Sequence, residues 1–380
     1  MKNQTMLKNM TTKILASTLF ILLVACSQTP ETTINIGFIG PLTGTASTYG
    51  IPELNAAQIA IDELNSQGGI NGKHVTLIVE DGKCDGAAST TAAKKLIEID
   101  HVSAILGGHC STESMAVLPI TEQNNVFLMA GATGTDKFSG AGQYAFRTFP
   151  PANILYGKLA EFAQEQGTKS IATLSDQGPW PQSVVGNFAS RFSQLGGKVL
   201  AQETYAPGTT DFRTQLLKIK NKNPDAIMIS VQGPDAAAGI IKQMQELNMS
   251  QQIYGDALVV SKPTYQKTNG LLPPTAIGGT IHVDPETNDL TKNVLEKYTT
   301  RFGELGLDAF YITESYDGTK IVAALITDCG NDAACMRTHI LAKEWQGASG
   351  GFTFNEQGNP TPHIAIKRVE NNTDVFLWKG

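Results

Sequence analysis

The sequence predicts an α/β protein made of two doubly wound lobes, each a parallel sheet with helices on both faces. Three observations predict it. The chain has 380 residues, and at about 100–200 residues per domain that length suggests two domains. Short β-branched runs alternate with amphipathic helical stretches, which is the pattern of βαβ units. The alternation then restarts after Arg147, so one complete series is followed by another.

Taken in order, residues 34–39 form the first predicted strand, which ends in Gly40-Pro41. A helix is expected over 53–65, with Ala57, Ile61 and Leu64 on one stripe and Gly68-Gly69 closing it. A strand over 74–79, a helix over 87–97, a strand over 103–106, a helix opening near Ser111 and a strand over 126–129 complete the first series. The second series has strands at 170–174, 198–204 and 226–230, with helices near 154–166, 181–195, 212–220 and 235–247. Asp211 stands just ahead of a helical stretch and reads as its N-cap.

Composition narrows the function classes. With 41% hydrophobic, 17% charged and 7% aromatic residues, the chain matches neither a disordered, a collagen-like nor a polytopic-membrane protein. The 29 Lys and Arg against 35 Asp and Glu give a formal charge of −6 with no basic run, so no nucleic-acid partner is expected.

The N-terminus is a targeting segment. Lys2, Lys8 and Lys13 precede an apolar run over 14–25, well short of the ~20 residues a spanning helix needs. The run ends in Leu23-Val24-Ala25-Cys26, which resembles the lipobox of a bacterial lipoprotein signal. That resemblance implies removal of residues 1–25, a lipid on Cys26 that ties the chain to a membrane in the periplasm or cell envelope, and a polar tether over 26–33. The exported chain would keep 26 basic against 35 acidic residues, a net charge of −9.

Export bears on the cysteines. Cys84, Cys110, Cys329 and Cys335 are an even set in an oxidising compartment, which reads as a disulfide framework with three possible pairings. Cys329 and Cys335 bracket a natural short loop, which leaves Cys84 with Cys110. The rival readings are four free thiols or a metal site. There is no C-x-x-C, and the six His show no i, i+4 pairing, so no metal and no cofactor is expected.

In open α/β sheets ligands sit outside the carboxyl ends of the strands, which turns attention to three loops. The loop over 40–50 matches neither G-x-G-x-x-G nor a Walker loop. In Gly107-Gly108-His109-Cys110-Ser111-Thr112, Ser111 either caps the helix that begins there or joins the free N–H groups of its first turn in holding an anion. The loop Ala130-Gly131-Ala132-Thr133-Gly134-Thr135 offers hydroxyls and carbonyls to an ammonium, so the two loops together suit a zwitterion. His109 and Cys110 are not expected to act as a base–nucleophile pair, because neighbours in a chain seldom face each other, and no catalytic residue is expected.

Gly40-Pro41-Leu42-Thr43-Gly44, Ile70-Asn71-Gly72-Lys73, Asp81-Gly82-Lys83-Cys84-Asp85, Gly108-His109-Cys110-Ser111 and Asp211-Phe212 occur in this order. In these motifs the chain resembles the periplasmic substrate-binding proteins for branched-chain amino acids, the leucine/isoleucine/valine-binding type. The resemblance implies the type I periplasmic-binding fold, with two lobes joined by a hinge of three crossovers and the ligand cleft between them. Lobe 1 is expected over 34–148 and 277–345, and lobe 2 over 149–276 and 346–380. The implied function is capture of a small zwitterion, a branched-chain or other aliphatic amino acid, and delivery to the permease subunits of an ABC importer.

The same resemblance assigns the site. Ser111 is to meet the ligand carboxylate, and Thr133 with the backbone at Gly131 the ammonium. Tyr49, Trp180 and Tyr311 are to supply aromatic walls, and Gln232 stands where the family often has a tyrosine. Asp256 is the acid available for the ammonium, one place early by counting. Two alternatives share the fold: a receptor for short amides or urea, and a non-transport lipoprotein that regulates a cell-wall synthase or a sensor.

Overall fold

A computed structural model describes residues 33–361 and 363–380. The signal over 1–25, Cys26 and all of the tether but residue 33 lie outside the described residues.

The first lobe opens with β1 (Ile34–Gly40), α1 (Ser47–Ser66), β2 (Val75–Asp81), α2 (Gly86–Glu98), β3 (Ala104–Gly107), α3 (Ser111–Asn124), β4 (Phe127–Ala130) and β5 (Ala145–Arg147). Its five strands lie in the order β2-β1-β3-β4-β5, all parallel. Every residue of β3 and β4 is buried, as apolar runs in a sheet covered on both faces should be. Helix α1 begins at Ser47 and not near residue 53, so Tyr49 sits in its first turn and Pro52 lies inside the helix. A proline there reads as a break, yet it removes only one backbone bond from a helix whose inner face, Ala56, Ala57, Ala60 and Ile61, is buried.

The second lobe follows with α4 (Ala152–Glu165), β6 (Ser170–Asp176), α5 (Pro179–Gln194), β7 (Lys198–Tyr205), α6 (Arg213–Lys222), β8 (Ala226–Ser230), α7 (Pro234–Glu246), β9 (Gln252–Gly255), α8 (Lys262–Lys267) and β10 (Ile277–Ile281). The chain then returns to lobe 1 as α9 (Asp289–Phe302), α10 (Phe310–Cys329), α11 (Ala333–Ala342) and the hairpin β11 (Trp345–Gly347) and β12 (Gly350–Phe352). Val294, Tyr298, Ile312 and Tyr316 of α9 and α10 pack on Ala56, Ile59 and Ala60 of α1. A last crossing leads to β13 (Ile364–Glu370) and β14 (Thr373–Lys379).

Two expected boundaries move. The chain from residue 277 is expected in lobe 1, but residues 277–281 form β10, which pairs in parallel with β9 and belongs to the second sheet. The stretch after residue 345 was assigned to lobe 2, but Trp345, Phe352 and Phe354 pack into the core of lobe 1, so that crossing comes only before β13. The three crossovers therefore run from β5 to α4, from β10 to α9 and from β12 to β13.

The second sheet has the order β14-β13-β10-β9-β8-β6-β7. It is not wholly parallel: β13 runs antiparallel to β10, and β14 antiparallel to β13. Asn371 and Asn372 make the two-residue turn of that last hairpin at φ 49° and 62°, a left-handed pair that asparagine tolerates and the hairpin twist requires.

Candidate ligand-binding site between the lobes

Both sheets reverse their strand order at the same kind of place, between β1 and β3 in lobe 1 and between β6 and β8 in lobe 2. Crevices open at such points beyond the strand ends, and here the two crevices face each other. Lobe 1 brings Tyr49, His109, Cys110, Ser111 and Ala132 to the cavity between them, and lobe 2 brings Trp180, Gln232, Ala257 and Leu258. Phe149, on the first crossover, and Tyr311, in the first turn of α10, complete it. Its volume is about 20 Å³, room for about one water molecule, so the lobes stand closed and a ligand enters only when they part.

Ser111 is the first residue of α3 and is 1% exposed. It is not the cap: Cys110 holds that position, and the Glu113 carboxylate accepts the Cys110 N–H at 3.1 Å and the Cys84 N–H at 2.8 Å. Burial pushes the Glu113 carboxyl up to about 7, against the pull of those two N–H groups. The Ser111 hydroxyl oxygen accepts the Thr135 N–H at 3.2 Å, which leaves its proton to donate into the cavity beside the first turn of α3, whose N–H groups have no intrahelical acceptor. That suits an anion.

The ammonium side departs from expectation. Thr133 is fully buried, does not line the cavity, and donates its hydroxyl proton to the Gly108 carbonyl at 2.5 Å. Gly131 is also absent from the lining; a Cβ there would fall 2.1 Å from His109 Nδ1, so this glycine makes room for that imidazole. Asp256 is fully buried and turned into lobe 2. One of its oxygens accepts from Ser230 Oγ at 2.5 Å and Val231 N at 2.9 Å, the other from Leu258 N at 3.0 Å and Val259 N at 2.9 Å. The carboxylate ties the ends of β8 and β9 together, and its neighbours Ala257 and Leu258 form the wall instead. Burial raises its pKa, and those four donors oppose the shift.

The three aromatic residues Tyr49, Trp180 and Tyr311 all line the cavity. Tyr49 and Tyr311 stack with ring centroids 5.5 Å apart, and the Tyr49 hydroxyl lies 2.8 Å from Cys110 Sγ. Trp180 stands edge-on to Phe149 at 5.5 Å and to Tyr156 at 5.6 Å. It reaches across to lobe 1 over Gly134, where a Cβ would fall 2.0 Å from its ring. Both disulfides form as paired in the sequence, Cys84 with Cys110 and Cys329 with Cys335, and the first joins the loops after β2 and β3 at the rim of the cavity. Asp211 is not the N-cap that the sequence suggests: Phe212 holds that position of α6, and Asp211, one residue earlier, accepts the Arg213 N–H at 3.2 Å.

Sequence reading missed His109, Phe149 and Arg147. His109 is 3% exposed, with Nδ1 2.7 Å from Glu53 Oε2 in poor alignment and Nε2 without a partner. Burial raises the Glu53 carboxyl, and His109 opposes the shift. Arg147 is fully buried behind the loop after β4 and donates to the Thr133 and Thr135 carbonyls, Asn359 Oδ1 and Ser139 Oγ. The signals were present: a histidine inside a glycine-rich loop, and an arginine closing the apolar run Ala145-Phe146.

Among the described residues no helix is long and apolar enough to cross a membrane. Residues 33–374 match the family described as periplasmic binding protein. A Leu/Ile/Val-binding protein homolog of Brucella abortus is 25% identical over 357 residues, which cover 91% of this chain and 93% of that one. The branched-chain amino acid transporter substrate-binding protein LivJ of Streptococcus pneumoniae, solved in complex with isoleucine, superposes with a TM-score of 0.82 at 22% identity over 92% of this chain and all (100%) of the other. A solute-binding protein of an ABC transporter from R. palustris, solved in complex with benzoate, gives 0.82 at 16% identity over 91% and 96%. With two facing lobes of the type I periplasmic-binding fold and a family match spanning nearly all the described residues, the chain belongs to the periplasmic binding protein family.

Proposed function

We propose that the protein is an extracytoplasmic receptor of an ABC importer that closes its two lobes on a small carboxylate-bearing solute, foremost an aliphatic amino acid of the leucine, isoleucine and valine kind. The observation that carries this reading is Ser111 with the first turn of α3 at a closed, aromatic-walled cavity to which both lobes contribute. The solute is bound and released unchanged. A lipid on Cys26 holds the receptor at the membrane, beside the permease that unloads it. The likeness to the Brucella and Streptococcus proteins supports the choice of amino acid.

Affinity follows from closure. Each lobe alone touches part of the ligand, and closing adds the second set of contacts while expelling water. Charge-assisted hydrogen bonds of about 1.5–3 kcal/mol each, with burial of an aliphatic side chain worth a similar amount, reach about the micromolar range once ordering costs are subtracted. Calorimetric titration of the purified chain with aliphatic amino acids tests this. Leucine or a close relative should bind in that range and raise the melting temperature; no binding by any amino acid contradicts it. A second reading, capture of an aromatic carboxylate, is favoured by the four rings Tyr49, Phe149, Trp180 and Tyr311 and matches what the R. palustris protein holds.

A further inference from the structure

The three N–H donors of a buried ammonium need acceptors, and a carboxylate is the usual one. Three carboxylates stand close enough to Tyr49 to act on its hydroxyl, Glu53, Glu113 and Asp256, and none of the three lines the cavity. Glu53 faces His109, Glu113 holds the Cys84 and Cys110 N–H groups, and Asp256 accepts four donors. Asp176, near Trp180, accepts the Gly178 N–H at 2.7 Å. Among the described residues no carboxylate lines the cavity. Where lobe 2 would present one, beside Asp256, the wall is Ala257 and Leu258, joined by the neutral amide of Gln232.

The opposite charge is built in behind the loop that was expected to hold the ammonium. The Arg147 guanidinium bonds only neutral oxygens, the Thr133 carbonyl at 3.0 Å, the Thr135 carbonyl at 2.8 Å, Asn359 Oδ1 at 2.7 Å and Ser139 Oγ at 2.7 Å. Asp136 is the carboxylate whose charge reaches it. The other face of that loop gives the Thr135 N–H to Ser111, so a buried cation backs the group that donates to the ligand anion. A positive charge in a poorly solvated interior favours an anion and opposes a second cation nearby.

From this we infer that the cleft reads a carboxylate and an apolar body but not an ammonium, so that a monocarboxylate without an amine is a ligand held about as tightly as the matching amino acid. The inference rests on the receptor reading above. It makes the cleft a site for aliphatic monocarboxylates as well as for amino acids.

Calorimetric titration of the full chain with leucine, 4-methylpentanoate (leucine without its amine) and 3-methylbutan-1-amine (leucine without its carboxylate) tests it. The expected result is that 4-methylpentanoate binds as tightly as leucine to within about threefold, or more tightly, while the amine gives no heat, since a buried ammonium without an acceptor adds no favourable contact. Leucine binding with 4-methylpentanoate weaker by more than that factor overturns the inference and leaves the receptor reading standing. Failure of all three to bind removes both. The isosteric Gln232→Glu variant adds the missing acid to the cavity wall, and it should shift preference toward leucine over 4-methylpentanoate by about tenfold. An unchanged ratio in a variant that melts like the parent contradicts the inference, because the cleft would then already hold its ammonium partner elsewhere.

Discussion

On the proposed receptor reading Ser111 does two things with one hydroxyl, and a substitution separates them. Its oxygen accepts the buried Thr135 N–H while its proton is left to the ligand. Ser111→Ala should therefore weaken ligand binding about tenfold or more and also cost about 1–3 kcal/mol of folding stability through the orphaned N–H. Loss of stability with affinity unchanged, read by calorimetry beside urea unfolding, would leave Ser111 only a structural role. Glu113 makes a prediction in pH. Its carboxyl titrates near 7 in the fold against an ordinary value of 4.5, because burial favours the neutral acid. The stability it contributes is therefore complete below about pH 4 and is lost as pH rises toward 7, roughly 3 kcal/mol over the full span. The Glu113→Gln variant, neutral at every pH, should show a flatter fall in urea stability between pH 4.5 and 7 than the parent; parallel profiles contradict this assignment.

At the same scale, Ser111, Trp180, Tyr49, Tyr311 and Gln232 were legible in the sequence as residues that line the cavity, because each stands at the end of a strand or the start of a helix and motif order located them. Asp256, Thr133 and Gly131 read equally well and yet do not line the cavity. In an irregular loop neighbouring side chains point in different directions, so Asp256 faces β8 while Ala257 faces the ligand cavity. Residue type in a sequence does not carry that direction. His109 stayed hidden because its environment is assembled from Glu53 and Phe38, which are far away in the chain.

Among the elements, the alternation of strands and helices was legible because parallel strands buried on both faces are written as unbroken apolar runs. β10 was not. Its sequence Ile277-Gly278-Gly279-Thr280-Ile281 carries two glycines, which weaken a strand reading. The fold needs them: a Cβ on Gly278 would fall 2.7 Å from Val260, and one on Gly279 3.1 Å from Leu155. The β13–β14 hairpin was not legible for another reason: Asn371-Asn372 supplies the two left-handed residues of its turn without the glycine that marks such a turn in a sequence. The contact between the loop after β4 and helix α5 also depends on a glycine. Trp180 is wedged by Phe149 and Tyr156, so it cannot retreat from a methyl group at residue 134. Gly134→Ala should weaken ligand binding about tenfold or more by holding the lobes apart, with little change in the melting temperature of the unliganded protein. Unaltered affinity would mean that this contact does not form in the bound state.

For the whole molecule, three crossovers, two facing strand-order reversals and a cavity of about 20 Å³ describe lobes that must separate to admit a solute and close to hold it. The lobe plan was legible from the restart of the pattern after Arg147 and from length, whereas the exact crossings were not, because they depend on which sheet a strand joins. Closure is the property on which binding, exchange with a permease and selectivity all depend. Small-angle X-ray scattering of the protein titrated with leucine measures it directly. The radius of gyration should fall as the ligand saturates, following the calorimetric isotherm; a scattering curve that stays unchanged while leucine is demonstrably bound would contradict capture by closure.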